Sequence, residues 1–311
     1  MAQFEQLISS NRRNSVLLVV LFVMFICILG AILGWAVFGD PRAAIPSIML
    51  ALVVSSISAI IGYYAGPSAV LAMSGARPLS REEDPQLYNI VDELRLASGV
   101  PMPAVYGIDT PAMNAFATGR DPQHAAIAVT SGLRQRLKRD ELQGVIAHEL
   151  SHVRNLDTRF MTLMAVLVGV VVLIADMGSR AIFYGGRRRS GDRGGGPIML
   201  VIILLAVVLA IIAPVFAMLI QLAVSRQREF LADASAARMT RYPEGLARAL
   251  EALAADTEPM HAASRATAHL FIVQPMMANG QRLREGGSMW SSHPPIEERV
   301  ERLRSIGNIE A

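Results

Sequence analysis

Four apolar runs constrain this chain more than any other feature. Ser15 to Phe38 holds 24 residues without a charge, Ala43 to Met73 holds 31, and Pro197 to Val224 holds 28. The remaining run starts at Phe160 and reaches Ala175. It continues past Asp176 and Arg180, spaced to pair on one helix face, as far as Tyr184. About 20 apolar residues in a helix cross a hydrocarbon core of roughly 30 Å. Each run is therefore expected to be a membrane span, helical because lipid offers the backbone no partners, with a hairpin of the last two that does not cross fully as the alternative. The composition agrees: of 311 residues, 52% are hydrophobic and only 18% charged, against about a quarter charged in a typical soluble protein.

The runs divide the chain. Residues 1–73 form an N-terminal segment and a transmembrane hairpin, with spans 15–38 and 43–73 separated by the turn Gly39-Asp40-Pro41-Arg42. Ser55, Ser56, Ser58, Gly62 and Gly66 in the second span suggest close helix packing. Residues 74–159 are polar, 160–224 make a second hairpin (spans 160–184 and 197–224), and 225–311 are polar again. Residues 185–196, rich in Gly and Arg, are low-complexity and expected to be flexible. Arg12 and Arg13 precede a first run that is longer than a signal-peptide core and lacks a small-x-small cleavage site. It reads as an uncleaved span. With Arg77 and Arg81, these residues place both termini and both polar segments in the cytoplasm. Arg187, Arg188, Arg189 and Arg193 then lie outside, against the usual tendency, but the opposite orientation would put more basic residues outside.

Within 74–159, Asp84 is placed to cap a helix with Pro85 at its first position. Short apolar stretches at 99–108, 114–119 and 125–130, the last two joined by a turn at 120–124, predict a small antiparallel sheet. A helix follows, opening on Asp140 and Glu141, with apolar spacing that suits burial on one side, and carrying His148-Glu149-Leu150-Ser151-His152. In a helix, residues four apart share a face, so both imidazoles can reach one ion while Glu149 flanks it as a general base for metal-bound water. A catalytic zinc takes three protein ligands, so a third must come from elsewhere. Ser225 to Asp233 (S-R-Q-R-E-F-L-A-D) is the candidate, because a hairpin after His152 returns Glu229 to the same membrane surface. Asp233, on the face of Glu229, would orient a ligand histidine. Spacing alone equally allows a solvated helix in which Arg226 and Arg228 pair with both acids.

The run H-E-L-S-H-V-R-N-L-D (His148 to Asp157), a membrane hairpin and then S-R-Q-R-E-F-L-A-D together resemble the HtpX group of membrane zinc endopeptidases, whose wider family includes the CAAX-prenyl endoproteases. Asn114 to Gly119 is similar to that family's N-A-F-A-x-G segment, and Ser292-His293-Pro294-Pro295 with Glu298-Arg299 to its H-P-P motif. The resemblance covers nearly the whole chain. It implies a mainly α, integral plasma-membrane protein with four transmembrane helices and a zincin-like cytoplasmic catalytic domain. One zinc would be held at His148, His152 and Glu229, with Glu149 activating water. The substrates would be unfolded, misfolded or damaged membrane proteins, cut in quality control under stress. The segment 185–196 departs from the family in being longer and more basic.

Further residues carry two readings each. Asp157 supports the metal helix or is a charge at its C-terminal end. Asn114 begins an edge strand that pairs with substrate, or a plain core strand. His293 donates to a developing oxyanion or caps the helix at Pro294. His124, His261 and His269 have no ligand spacing. Cys27, the only cysteine, lies in a span and leaves no disulfide possible within the chain. A net charge of +3 is too small to indicate nucleic acid and suits an anionic membrane surface. Cleavage within the bilayer would need the H-E-x-x-H inside a run, yet Arg134 to Arg139 and Arg154 to Arg159 flank it. A scaffold or sensor with a structural zinc would need a fourth ligand, such as His293 or Asp233.

Overall fold

A computed structural model describes residues 2–38, 40–167, 226–260, 267–275 and 293–309. The described residues are mostly helical. The span expected at 197–224, the segment 185–196, most of the span at 160–184 and His261 lie outside them.

Among the described residues, two helices are long and apolar enough to cross a membrane. Helix α1 runs from Ala2 to Phe38, starting well before the basic pair, and its apolar window is Asn11–Ala31. Helix α2 is Ala44–Met73. Its burial is inverted relative to a soluble helix. Ala51, Ser55, Ala59, Gly62 and Gly66 are buried, while Ile45, Met49, Leu50, Val53, Ile57, Ile60 and Ile61 stand more than half exposed. Small residues inward and large apolar ones outward is how a helix packs when its surroundings are lipid. The small stripe admits a further helix over 157–167: a Cβ at Gly62 would come within 3.3 Å of Val166, and one at Gly66 within 3.2 Å. Ser55 is buried in the same stripe, and both its hydroxyl and that of Ser58 turn back onto their own helix, at Ala51 O (2.7 Å) and Val54 O (2.8 Å).

Strand β1 (Ala76–Pro78) leaves α2 and leads to α3 (Pro85–Ser98). Asp84 Oδ1 accepts the Leu87 N–H at 2.9 Å, Pro85 opens the helix, and Gly99 closes it at φ +73°. Strands β2 (Ala104–Ile108), β3 (Ala115–Gly119) and β4 (Ala125–Thr130) complete a sheet in the order β1-β2-β4-β3. The sheet is mixed rather than antiparallel, because β4 pairs parallel with β2 and antiparallel with β3. The reason is burial. All six residues of β4 are inaccessible, so the β3–β4 hairpin enters with β4 in the centre. β3, also wholly buried, is covered at the start of its outer edge, where the Ile272 N–H donates to Ala115 O (3.0 Å).

Helices α4 (Ser131–Arg136) and α5 (Arg139–Arg154) follow, with the helix over 157–167 (α6) behind them. Beyond the undescribed stretch come α7 (Arg226–Thr240), α8 (Pro243–Ala255) and α9 (Ile296–Ile309). One sheet face joins a core of Leu87, Ile90 and Leu94 from α3, Val145, Ile146 and Leu150 from α5, and Leu246 and Leu250 from α8. The opposite face, through Phe116, Ala126 and Ala128, packs on Val70 and Leu71 of α2, Met161 and Ala165 of α6, and Phe271. The sheet thus joins the membrane helices to the helical core.

Helix α5 is central. From Gly144 to Val153 every residue is buried, not only one face as its apolar spacing suggested. Gly144 lets α8 approach: a Cβ there would sit 2.7 Å from the Leu246 backbone nitrogen and 2.8 Å from its Cα. Gly144→Val is expected to push the two helices apart and to cost roughly 1–3 kcal/mol, read as a lowered midpoint in denaturant unfolding of the detergent-solubilised protein.

Candidate metal centre

The three donors of the centre come from two helices. His148 and His152 lie one turn apart on α5 with their Nε2 atoms 3.1 Å from each other and their rings nearly perpendicular. Glu229 enters from the first turn of α7. Its Oε2 is 3.7 Å from His148 Nε2 and its Oε1 is 3.5 Å from His152 Nε2. One donor atom from each of the three lies within 4.8 Å of the others, and all three side chains are buried.

Each donor is gripped from behind. His148 Nδ1 contacts Asp233 Oδ1 at 2.9 Å, and His152 Nδ1 contacts Asp157 Oδ2 at 2.9 Å. With Nδ1 engaged by a carboxylate, each imidazole turns its Nε2 lone pair toward the common point. His293 Nδ1 lies 3.0 Å from Glu229 Oε2. Arg299, on α9 and fully buried, donates to both oxygens of Asp233 at 2.8 and 2.7 Å. Glu229 and Asp233 are therefore not on a solvated helix face. Arg299 stands 2.7 Å from Asp233 and 3.6 Å from Glu229, and the buried Arg228 stands 3.8 Å from Asp157.

The electrostatics suit a cation. Glu149, Asp157, Glu229 and Asp233 are all buried here against two buried guanidiniums, Arg228 and Arg299. Burial works against charge on Glu229, yet His293, His152 and Arg299 hold it well below the usual carboxylate range. Burial, helped by the charge of Glu229, instead lifts Glu149 to about 7 against the opposing pull of His152, the Ala117 backbone and Arg299. Burial also opposes charge on His152, but the hydrogen bond to Asp157 and the charge of Glu229 outweigh it and raise that ring to about 9. His148 falls, because burial exceeds the pull of Asp233. Two imidazoles and a carboxylate converging in a region with surplus negative charge form a donor set that fits a divalent metal. A small cavity adjoins it, walled by Ala117, Thr158, Met161, Leu270, Phe271 and Ile272.

Asn114 is not at the ligands. Its amide Nδ2 donates to Val273 O (2.9 Å) and its backbone N–H to Thr130 Oγ1 (2.9 Å), tying the start of β3 to the segment that covers it. His269 is held neutral by burial, at about 4, with Nε2 on Met161 O, and His124 pairs with Asp121 in an exposed turn. Sequence reasoning placed Arg299 in the segment similar to the H-P-P motif but gave it no role. Its signal was present: a lone arginine between the apolar residues Ile296, Val300 and Leu303 of an amphipathic helix. Replacing it would leave the Asp233 carboxylate buried without its cation. Arg299→Leu is expected to cost roughly 3–5 kcal/mol, measured by equilibrium unfolding.

Comparison with known proteins places this geometry in a family. Residues 80–307 match peptidase family M48. A protease HtpX homolog of Syntrophobacter fumaroxidans is 46% identical over 299 residues, spanning 96% of this chain and 99% of that one. Those of Tropheryma whipplei and Streptococcus uberis are 42% and 40% identical over 97% of this chain, and 98% and 99% of theirs. In fold, the crystal structure of S. mikatae Ste24p aligns with 96% of this chain and 66% of its own, at a TM-score of 0.50 and 20% identity. With the family match across most of the chain, nearly full-length HtpX relatives and a two-histidine, one-glutamate cluster at its centre, this chain belongs to peptidase family M48 as a metalloprotease of the HtpX type.

Proposed function

We propose that this metalloprotease is a membrane-anchored zinc endopeptidase that cuts misfolded or damaged membrane proteins at the cytoplasmic face. The observation that carries the reading is the convergence of His148, His152 and Glu229 within 4.8 Å, with the Glu149 carboxylate on the same cavity. Two nitrogens and one oxygen are the usual ligands of a catalytic zinc, and three protein donors leave a position open. That favours catalysis over a purely structural site.

When bound, the metal supplies Lewis acidity to a water and to the scissile carbonyl. The remaining work falls to the protein. Asp233 and Asp157 orient the two imidazoles, and Arg299 keeps Asp233 in place. Glu149, buried and with the affinity for a proton that burial confers, takes one from water and delivers it to the leaving amine. β3 stands at the end of the sheet order, where its rim can pair with extended substrate backbone. His293, beside Glu229, is placed to donate to the oxyanion.

For topology, residues 160–184 and 197–224 complete four spans, with 185–196 outside and both polar halves in the cytoplasm. Support comes from the start of the α1 apolar window, where Asn11 lies against Asn155 and Asp157. The N-terminal end of the first span and the end of the metal helix therefore occupy one side. Substrate segments adjoining a membrane would arrive at that surface.

The chemistry is tested with purified protein and an unfolded substrate. Glu149→Gln should retain one equivalent of zinc and lose cleavage by a factor on the order of 10²–10⁴ or more, whereas His148→Ala should lose both metal and cleavage. Normal turnover by Glu149→Gln would overturn the assignment. The orientation is tested in intact cells after replacing Cys27, using single cysteines and an impermeant thiol reagent. Ser190→Cys should react directly, and Glu82→Cys only once the membrane is opened; the reverse pattern would invert the topology.

A further inference from the structure

We propose that Asn11, on the first membrane helix, is a positioning residue for His152 and acts through Asp157. The inference rests on the reading of His152 as a metal ligand.

Helix α1 buries one stripe of side chains at steps of four and three: Asn11, Ser15, Leu18, Phe22, Phe25 and Leu29. Four of the six are apolar and Ser15 satisfies itself on Asn11 O at 2.8 Å. Asn11 is 1% exposed, and a buried carboxamide is costly unless its protons find partners. They do, across a sequence distance of more than 140 residues. Its Nδ2 donates to Asn155 O at 2.9 Å and to Asp157 Oδ1 at 2.6 Å.

Both acceptors belong to the support of the metal helix. Asn155 ends α5, where backbone carbonyls run out of partners within the helix, so Asn11 satisfies one of them. Asp157 divides its two oxygens: Oδ1 accepts from Asn11, and Oδ2 contacts His152 Nδ1 at 2.9 Å. Arg228 is farther from Oδ1, at 3.8 Å. Between them Leu156 has φ +59°, a conformation a leucine seldom adopts, and it bends the chain so that Asp157 returns beneath His152. The Asn11 amide spans this turn, bonding the residue before Leu156 and the residue after it. Without that amide, the turn can relax and the Asp157 carboxylate can rotate, and the His152 ring loses what sets its orientation. A helix long and apolar enough to cross a membrane is thereby bonded directly to the carboxylate behind a ligand.

Partners of this kind typically change metal affinity by about 10- to 100-fold when removed. The experiment measures zinc affinity of the full-length, detergent-purified protein by chelator competition, and the visible spectrum of its Co²⁺-loaded form. Asn11→Ala should weaken zinc binding by about 10- to 100-fold and alter the Co²⁺ bands, with Asn14→Ala, on the same helix but outside the buried stripe, unchanged. In an Asp157→Ala background, adding Asn11→Ala should change neither quantity further, since a residue acting through Asp157 has nothing left to act on. Should Asn11→Ala fail to accumulate in membranes, Asn11→Ser, too short to hold both acceptors, carries the same expectation. Unchanged affinity and spectrum in the folded variant, or effects additive with Asp157→Ala, would overturn the proposal while leaving the metal site standing. Wild-type protein that takes up no metal would overturn both.

Discussion

The bond between a buried carboxylate and the rear nitrogen of an imidazole is the interaction on which the site depends. It occurs twice, at Asp233 behind His148 and at Asp157 behind His152. Each bond selects a tautomer and aims a lone pair, and together they make two rings one turn apart address one point. The cost is charge in the interior. A buried carboxylate must be matched, and the chain draws on distant elements to match it: Arg299 from α9 for Asp233, the Asn11 amide from α1 for Asp157. The site is therefore only as rigid as the packing of helices that are far apart in sequence.

That packing is organised by the sheet. One face carries the soluble-type core around α5, and the other receives the ends of α2 and α6. The membrane helices and the catalytic helices share a layer of side chains, with Phe116 of β3 against Phe271 at 5.0 Å between ring centres. From Ala51 to Gly66, α2 meets its neighbours through alanine, serine and glycine, and most of its large residues there face outward. In water such an arrangement would be penalised by the hydrophobic effect; in lipid the large side chains lose nothing outside, and close backbone approach decides the packing.

How much was legible depended on whether the cause was local. The Asp84 cap, the Pro85 start, the three strands of 99–130 and the metal helix rest on neighbours in sequence, and all of them stand close to where their residues indicated. Strand pairing is not local. Apolar runs announce strands, but whether β4 sits beside β2 or outside β3 depends on what covers each edge, and so the expected antiparallel sheet is mixed. The same holds for α5. Its spacing suggested one buried face, yet it is enclosed because α3, α7 and α8 close around it, an outcome Gly144 permits by having no side chain.

By itself the sequence determined the two membrane-length helices and the helix that carries His148, Glu149 and His152, because periodicity and spacing within one helix are enough to set them. Glu229 became a candidate through the hairpin before it and the family resemblance, spacing alone leaving it open. Only the tertiary structure decided which charge answers which. Asp233 finds Arg299, Asp157 finds His152 and Asn11, and Glu229 finds His293. These partners are separated by 5 to 146 residues, and nothing in a linear pattern ranks them. What selects them is the requirement that every charge removed from water meet a partner where the packed helices bring it.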